Sequence, residues 1–352
     1  MKPLILTGCP IPARGVGERA MERLILTTSD SGAGGLLEAK LADCVIPSEL
    51  RFVWGQLPSQ VELERVLSPR SAMHEASAPH WLDHTGRRLA ETRAEGPGLV
   101  EFCGRFEAVE LWIDPDPNAQ LTLIWLLDYL RHHARTASKL TLVQAGLPIG
   151  NYPPEELAGW RLPAVKVLNA HLEAASMAWQ AYRQPTPKDW FNLLGEGLSV
   201  LPKLGQSVLE LLEELPMPAT GLGATEMWML KLISAGNAGP FDVFPGDKKR
   251  NKRRVFDYWE VGALLDRLAH CPEPVVAGLD EGPFTLEMHE DRDRLRRYKR
   301  SKLELTALGK AILERAEDFS RHNPIHRWWG GTELTNDRLW RWDPATRNLI
   351  AP

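Results

Sequence analysis

Residues 24–36 read LILTTSDSGAGGL, an apolar run that gives way to serine, aspartate and three glycines. The run is short and rich in β-branched residues, so it predicts a strand at 24–28 that leads through a turn into a helix at about 35–42. Glycines in such a turn allow the backbone to approach an anion closely. Two interpretations stay open at this point, an anion-binding turn and a tight structural corner.

The alternation of strands and helices continues beyond this turn. Three more short apolar segments predict strands, at 51–54, 108–113 and 139–145. The apolar spacing of residues 119–134 predicts a helix. Strands that alternate with helices form a parallel sheet with both faces covered. We therefore predict an α/β protein in which residues 21–146 form a Rossmann-like parallel sheet domain, after an N-terminal extension at 1–20.

The pattern changes in the second half of the chain. Helical apolar spacing, with prolines at the joins, predicts a helical connector over 147–218. After a segment rich in proline and glycine, the sequence predicts two helices separated by a basic loop, then two strands and a further helix. That order is typical of a winged helix-turn-helix. We therefore predict a winged-helix-like α+β domain over 219–352.

Composition limits the classes of protein. The 352 residues, 43% of them hydrophobic, suffice for more than one buried core. A net charge of −4, from 42 basic and 46 acidic residues, argues against a globally basic nucleic-acid-binding protein. The four cysteines form no CxxC pair, so neither a zinc knuckle nor a disulfide framework is predicted. The default interpretation of such cysteines is reduced thiols in the cytosol, so we predict a cytoplasmic protein. No apolar stretch reaches the roughly 18–20 residues of a membrane span, so we also predict that the protein is soluble.

The turn after the first strand is the first candidate site. In an open parallel sheet, ligands bind at the carboxyl ends of the strands, where helix N-termini present free N–H groups. The candidate ligand-binding residues are Ser29, Asp30, Ser31, Gly32, Gly34 and Gly35. Neither the dinucleotide fingerprint GxGxxG nor the phosphate-binding motif GxxxxGKS/T is present. The predicted second strand also lacks the following acid that would bind the ribose of NAD.

A second polar cluster follows the predicted third strand. Asp114, Asp116 and Gln120 would lie at the same carboxyl edge as the first turn. The two carboxylates could face one ligand, bind a divalent cation together with a phosphate, or act as acid and base. The alternative is structural, because aspartate often begins a helix and Pro115 and Pro117 rigidify the corner. We assign no metal ligands and leave the cofactor open.

Two segments of the predicted winged domain are strongly basic, 248–254 and 292–302. In a winged helix they would lie near the helix-turn-helix and on the wing tip, where such domains contact DNA phosphates. The candidate nucleic-acid-binding residues are Lys248, Lys249, Arg250, Arg253, Arg254, Arg296 and Arg297. Charge runs are also common in solvated loops. Contact with DNA, contact with a protein and a solvated loop therefore stay open.

Four segments of the chain resemble one bacterial family. They are LILTTSDSGAGGLLEA from residue 24, VELWIDPDPNAQLTLIWLLDYL from 109, GLGATEMWMLKLI from 221 and NPIHRWWGGTELTNDRLWRWD from 323. Over most of 21–346, the chain looks like proteins with domain of unknown function 1835 and its companion domain 3658. The resemblance implies a Rossmann-like front half and a helical, winged rear half, and it implies no particular activity.

The same resemblance marks residues at both polar clusters. The first turn of the family is similar to GDSAAGSL and the turn after its third strand contains an acid, a His, an Asp and a later Gln. This chain matches those patterns at Asp30, Ser31, Ala33, Gly34, Asp114, Asp116 and Gln120. It departs from them at Ser29, which replaces a glycine, and at Pro115. It also lacks the acid-Gly-Pro element that relatives carry after strand two, which places one wall of a shared site in doubt.

These observations lead to one leading hypothesis and two alternatives. The leading hypothesis is a ligand-binding protein whose sheet edge holds a small anionic or nucleotide-like molecule and whose rear domain contacts DNA or a protein. The first alternative is a metal-assisted phosphoryl-transfer or hydrolytic enzyme that uses Asp114 or Asp116. The second is a non-catalytic interaction scaffold.

Overall fold

The computed structural model describes residues 21–48, 50–70, 79–83, 85, 89–245 and 253–352. The chain forms two compact units. The first contains the described residues of Met1–Arg51, Pro58–Trp179 and Leu198–Lys203, and the second those of Phe52–Leu57, Gln180–Gly197 and Leu204–Pro352. The predicted connector is divided between the two units, and the predicted extension at 1–20 lies outside the described residues.

The first unit is built on a five-stranded, mostly parallel sheet, which confirms the predicted α/β class. Its strands are β1 (Met21–Thr27), β2 (Cys44–Pro47), β3 (Phe106–Ile113), β4 (Leu140–Gln144) and β5 (Ala164–Lys166). Their order is β2-β1-β3-β4-β5, with β5 antiparallel to β4 and the other pairs parallel. The chain therefore runs from β1 to one side of the sheet and from β3 to the other.

Helices connect these strands, and a last helix follows β5. In chain order they are α1 (Asp30–Glu38), α2 (Gln60–Leu67), α3 (Ala90–Glu95), α4 (Leu99–Gly104), α5 (Pro117–Leu130), α6 (Ala134–Ala137), α7 (Pro154–Gly159) and α8 (Asn169–Tyr182). α1 joins β1 to β2, while α5 and α6 join β3 to β4. Both α1 and α5 thus begin at the carboxyl ends of parallel strands.

The core of the first unit holds these two helices in place. Ile25, Val45, Trp112 and Val143, one from each parallel strand, form a buried cluster with Leu36 of α1. α5 is buried along its whole length except at one residue. A helix that is apolar on all sides is expected to lie inside a protein. Burial of α5 and of one face of α1 fixes the positions of their first turns at the sheet edge.

The predicted second strand at 51–54 is wrong, because β2 is Cys44–Pro47. Phe52 and Val53 are nearly fully buried, but they belong to the second unit and form no strand. Their apolar character therefore reflected burial and not sheet pairing. NAD binding was not expected from the sequence, because no acidic residue follows a second strand at 51–54. That reason no longer holds, since the second strand is β2 and an acid, Glu49, follows it two positions later, outside the described residues.

The helix predicted at 35–42 begins earlier, at Asp30. The cause is an N-cap: the Ser29 hydroxyl accepts a hydrogen bond of 3.2 Å from the backbone N–H of Gly32. Such a cap satisfies a donor that the first turn of a helix leaves free. The glycines of the opening motif therefore lie inside α1 and not in a loop before it.

Two of these glycines permit close packing of α1. A Cβ atom at Gly32 would lie 2.7 Å from the Ser29 hydroxyl and 3.3 Å from the Cβ of Ile149. A Cβ atom at Gly35 would lie 2.8 Å from a methyl group of Leu157. At Gly34, in contrast, a Cβ atom would meet nothing within 4 Å. Packing inside the protein thus explains Gly32 and Gly35 but not Gly34.

The second unit consists of shorter elements. Its helices are α9 (Lys188–Asn192), α10 (Leu204–Leu212), α11 (Ala224–Ser234), α12 (Tyr258–His270), α13 (Leu286–Glu290), α14 (Arg292–Arg300), α15 (Ala307–Leu313) and α16 (Phe319–His322). Three antiparallel strand pairs accompany them: β6 (Val276–Ala277) with β7 (Glu304–Leu305), β8 (His326–Trp329) with β9 (Thr332–Thr335), and β10 (Arg341–Asp343) with β11 (Asn348–Ile350). Among the described residues, no helix is long and apolar enough to cross a membrane.

The basic segment predicted for a wing tip has a different structure. Most of 292–302 forms α14, which follows α13 between β6 and β7. Asp291 caps α14, because its carboxylate accepts hydrogen bonds from the backbone N–H groups of Asp293 and Arg294. The arginines and lysines of this segment are therefore arranged with helical spacing and not along a hairpin.

The packing of α1 predicts opposite effects for two alanine substitutions. Gly34→Ala should raise the free energy of unfolding by roughly 0.5–1 kcal/mol, because alanine favours a helix over glycine and the new methyl group meets no atom. Gly32→Ala should lower it, because the methyl group collides with the cap and with Ile149. Urea unfolding of both variants at one pH measures the two changes, and equal changes would contradict the packing role of Gly32.

Candidate functional site

A chain of hydrogen bonds runs along the carboxyl edge of the sheet. The backbone N–H of Asp114 donates to the Thr28 hydroxyl at 3.2 Å, and the Gln120 amide donates to the Asp114 carbonyl oxygen at 2.8 Å. The Gln144 amide in turn donates to the side-chain oxygen of Gln120 at 3.0 Å. The bonds join the residues after β1 and β3 to the last residue of β4, so the three strand ends are fixed relative to one another.

The carboxylate of Asp114 links this edge to the turn after β4. One of its oxygens accepts a hydrogen bond of 2.8 Å from the backbone N–H of Ile149, which begins a 3₁₀ turn over Ile149–Asn151. The same turn packs onto α1, since a Cβ atom at Gly150 would lie only 2.1 Å from the Ser31 hydroxyl. Asp114 is 3% exposed. The turn therefore covers the inner part of the edge.

Burial changes the acidity of Asp114. The pKa of Asp114 is raised to about 6; removal of the carboxylate from water is the largest cause, and the negative charge of Asp116 acts in the same direction. Hydrogen bonds from the backbone of Ile149 and from the Ser29 hydroxyl oppose this increase. A carboxyl group with this pKa changes its protonation state within the physiological range of pH.

The N-terminus of α5 forms the second side of the edge. Asp116 is its N-cap and accepts a hydrogen bond of 3.0 Å from the backbone N–H of Ala119. Asn118 donates from its amide to the carbonyl oxygen of Leu50 at 2.8 Å. Burial raises the pKa of Asp116, while the hydrogen bond from Ala119 and the charge of Arg51 lower it. Asp116 thus has the capping role that its position after a strand predicts.

The N-terminus of α1 is the more accessible side of the edge. Asp30, Ser31 and Gly34 are exposed, and Ser29 is half-buried. The N–H groups of Gly32 and of the following residue bond to Ser29. Within the described part of the chain, no hydrogen bond uses the backbone N–H groups of Asp30 and Ser31. Two donors and one hydroxyl are therefore available there to a bound group.

The structure brings the two predicted polar clusters to one edge. The cluster after β1 and the cluster after β3 meet through the contacts of Asp114 with Thr28 and Ser29. Gln120 is fully buried and acts within the protein. The structure shows that Ser29 and Asp116 cap helices. Ligand binding stays a prediction for these two residues and for Asp30, Ser31 and Asp114.

Several residues at this edge escaped prediction from the sequence. Gln144 ends a strand that is otherwise apolar, which was a signal that the polar side chain has a specific partner at the sheet edge. Arg51 was assigned to a strand, although its charge acts on Asp116. Ile149 and Gly150 carried no signal, because only the folded chain places their turn over α1.

The predicted nucleic-acid-binding residues fall into different environments. Lys248, Lys249 and Arg250 lie outside the described residues. Arg253 is bound within the second unit: its guanidinium pairs with the carboxylates of Glu213 at 2.9 Å and Glu214 at 2.6 Å. These ion pairs raise the pKa of Arg253 against the effect of its burial. Its charge is therefore already matched inside the protein.

The other candidates lie nearer to solvent. Arg254 is half-buried, and Arg296 and Arg297 are exposed on α14. Arg296 pairs with Asp293 at 3.0 Å on the same helix, and Arg297 pairs with Glu281 at 2.7 Å. The exposed pair of Arg296 is weak, so its guanidinium can exchange Asp293 for a phosphate. Arg297, in contrast, donates two hydrogen bonds to the Glu281 carboxylate, which is only 11% exposed, so its charge is matched within the second unit.

Metal binding gains no support from side-chain clusters. No three His, Cys, Asp or Glu side chains in the described ranges lie close enough to hold a metal ion together. Asp114 and Asp116 are the only carboxylates that the sequence placed as a pair at this edge, and both already accept backbone hydrogen bonds. A cation at this edge would need further ligands from a bound molecule.

The raised pKa of Asp114 predicts a pH-dependent stability difference. Its pKa in the folded protein, about 6, lies above the ordinary value of 3.8. At a pH between these two values, Asp114 is protonated in the folded protein and ionised in the unfolded chain. Stability is therefore lost as the pH rises through this range. Asp114→Asn keeps the acceptor for Ile149 without the charge. It should match the wild type near pH 4 and exceed it by up to about 3 kcal/mol near pH 7, as urea unfolding would show.

Parallel stability curves for Asp114→Asn and the wild type across this pH range would contradict the raised pKa. A loss of stability that is the same at every pH would show that asparagine disturbs the packing or the hydrogen bonds of the site, and a loss that grows toward pH 7 would show that the charge itself is needed for folding. Only a gain in stability that grows with pH agrees with a carboxyl group whose pKa is raised by burial.

The chain has no match among protein-family models, and no curated protein was found to be similar to it. The resemblance to domains of unknown function 1835 and 3658 therefore stays a hypothesis. A function for this chain has to be argued from the geometry of its sites.

Proposed function

We propose that the first unit binds a small anionic or nucleotide-like ligand at the carboxyl edge between β1 and β3. The supporting observation is the strand order β2-β1-β3-β4-β5, in which the chain leaves β1 and β3 toward opposite sides. Ligands of open α/β sheets bind at such a switch point. This topology also agrees with the Rossmann-like domain that the resemblance implies, which we retain as part of the proposal.

The anionic group of the ligand would lie at the first turn of α1. This helix has nine residues and presents the N–H groups of Asp30 and Ser31 at an exposed end. N–H groups and the helix dipole both favour a negative charge at that position. The Ser31 hydroxyl adds a donor. The carboxylate of Asp30 would repel a bare anion, so the ligand needs further contacts.

Those contacts would come from the carboxyl groups of the segment between β3 and α5. Asp114 and Asp116 lie at the same edge as α1, and carboxylates accept hydrogen bonds from hydroxyl and amino groups. A nucleotide or sugar phosphate carries both kinds of group, an anionic phosphate and several hydroxyl donors. A plain inorganic anion carries only the first. The proposal therefore favours a nucleotide-like ligand.

A substitution in the first turn of α1 tests this proposal. Ser31→Glu should abolish the binding of AMP and ribose 5-phosphate, because its carboxylate occupies the anion site, while an acid in the first turn does not destabilise the helix. Gln60→Glu is the matched control, since it adds the same charge to the exposed first turn of α2. Melting temperatures with and without each ligand measure binding, which raises them by mass action.

The experiment has clear outcomes. A ligand-induced increase that persists in Gln60→Glu and vanishes in Ser31→Glu would support the site. No increase with either ligand at millimolar concentration, or an equal increase in both variants, would contradict it. Adenosine, which lacks the phosphate, should raise the melting temperature less than AMP does.

A second candidate function is enzymatic. It is favoured by the pKa of about 6 for Asp114, since an acid or base catalyst works best when its pKa lies near the working pH. Asp114 would then transfer a proton during a phosphoryl-transfer or hydrolytic reaction on the same ligand. Turnover of bound AMP or ribose 5-phosphate, followed by phosphorus NMR, separates this function from binding alone.

We further propose that the second unit contacts DNA through α14. The winged-helix fold predicted for residues 219–352 is kept as part of this proposal. Six of the nine residues of α14 are basic and one is acidic. Arg292, Lys299 and Arg300 are exposed, and no ion pair is found for them among the described residues. Basic side chains on an exposed helix can contact phosphates along one DNA backbone. From the sequence, contact of these basic residues with a protein also stayed open. Such a partner would need an acidic surface.

The salt dependence of DNA binding tests this contact. Replacing Arg292, Lys299 and Arg300 together with glutamine should weaken binding to duplex DNA and lower the slope of log affinity against log salt by about 2–3, because three phosphate contacts are lost. A matched triple replacement of Lys310, Arg315 and Arg321, all exposed in the same unit, should leave the slope unchanged. Equal slopes for both variants, measured by fluorescence anisotropy, would contradict DNA contact through α14.

A further inference from the structure

The second unit contains a partly enclosed cavity of about 300 Å³ that the sheet-edge site does not involve. Aromatic side chains form much of its wall: Trp54, Phe256, Trp328 and Trp329. Arg267 and Arg327 supply positive charge. All lining residues belong to the second unit, including the segment Phe52–Leu57 that was predicted as a strand. The volume lies at the lower end of the range of small-molecule sites.

The aromatic wall is partly rigid and partly accessible. Trp329 is buried, and its indole N–H donates to the Leu211 carbonyl oxygen at 2.7 Å. Its ring also meets that of Tyr182 at 5.4 Å. Trp54, in contrast, is 40% exposed and meets the ring of Phe256 edge-to-face at 5.8 Å. A flat ligand could therefore enter beside Trp54 and rest on a wall that other contacts hold in place.

The charges beneath this wall are matched, with one exception. Arg327 pairs with the Glu226 carboxylate at 3.1 Å and donates to the Glu214 carbonyl oxygen at 2.9 Å. The Glu214 carboxylate accepts hydrogen bonds from Thr225 and pairs with Arg253. Each of these side chains has its partner within the protein.

The exception is Arg267 of α12. In the parts of the chain that the structure describes, its guanidinium forms no hydrogen bond and no ion pair; it lies over the ring of Phe319 at 5.7 Å. Burial lowers its pKa, and the nearby charge of Glu226 opposes this effect. It also borders a wider neighbouring cavity, where the Glu281 carboxylate is already paired with Arg294 and Arg297. A partly buried guanidinium with five donors and no acceptor is costly.

We propose that this cavity binds a small molecule with a flat aromatic body and an anionic group. The body would lie against Trp54, Phe256 and Trp328, and the anionic group would pair with the Arg267 guanidinium. Aromatic walls bind flat molecules through stacking and edge-to-face contacts. Arginine binds carboxylates and phosphates through paired hydrogen bonds, and both groups satisfy the chemistry of this site.

Binding of three probes to the full chain tests the proposal by calorimetry. Indole-3-acetate and phenyl phosphate carry the two anionic groups, and indole-3-acetamide is the neutral counterpart of the first. We expect at least one anionic probe to bind about tenfold or more tightly than the amide, because a charge-assisted hydrogen bond is lost in the amide.

Three variants locate the binding. Arg267→Gln should remove the difference between indole-3-acetate and its amide, whereas Arg315→Gln, which changes an exposed arginine of the same unit, should preserve it. Ala263→Phe fills the cavity from its wall without removing any charge, and it should abolish binding of all three probes. This variant keeps the test valid if Arg267→Gln folds poorly, which its melting temperature would show.

The proposal fails if neither anion binds at millimolar concentration. It fails equally if Arg267→Gln binds both forms of the indole probe as the wild type does, or if Ala263→Phe retains full binding. Loss of binding in Ala263→Phe, together with loss of the charge preference in Arg267→Gln, supports it. These results are independent of the sheet-edge site, because Ser31→Glu should leave the binding of the indole probes unchanged.

Discussion

The hydrogen bond from the Ile149 backbone to the buried Asp114 carboxylate is the constraint on which the candidate edge depends. It holds the turn after β4 over the N-terminus of α1, where Gly32 and Gly150 leave room for close approach. The backbone of Asp114 forms two further hydrogen bonds: its N–H donates to the Thr28 hydroxyl, and its carbonyl oxygen accepts from the Gln120 amide. One residue therefore connects three strand ends and two helices. Exclusion of Asp114 from water raises its pKa, and the hydrogen bond from Ile149 partly opposes that increase.

The sequence predicted much of this arrangement. Apolar runs identified β1, β3 and β4, because strands buried on both faces read as continuous apolar segments. Polar residues directly after two of those runs identified the shared edge. β2 was missed, since its four residues, CVIP, give too short a signal beside the longer apolar segment at 51–54. The start of α1 was missed because glycines disfavour helices locally, and only tertiary packing against Ile149 and Leu157 explains Gly32 and Gly35.

Charged residues show more clearly that a sequence does not reveal which residues become neighbours on folding. Arg253 belongs to a basic run that resembles a DNA-binding loop, yet its partners are Glu213 and Glu214, some forty positions earlier in the chain. On α14, Arg296 pairs with Asp293 of the same helix, whereas Arg294 and Arg297 share the largely buried Glu281 carboxylate. Composition and charge patterning cannot separate these cases, because a distant acid becomes a neighbour only on folding. The relevant property of a basic residue is whether its charge is matched after folding, and that is a tertiary property.

Asp114 and Arg267 share a physical property despite their opposite charges. Each is partly or fully removed from water, burial shifts the pKa of each toward the neutral form, and neither has an ion pair within the described chain that offsets this cost. An apolar residue at either position would avoid the cost. Groups kept in such environments are candidates for binding or catalysis, since a ligand of matching chemistry supplies the missing interaction. At the sheet edge the ligand must donate hydrogen bonds to a carboxyl group, and in the aromatic cavity it must bring a negative charge, so the two sites would select different molecules.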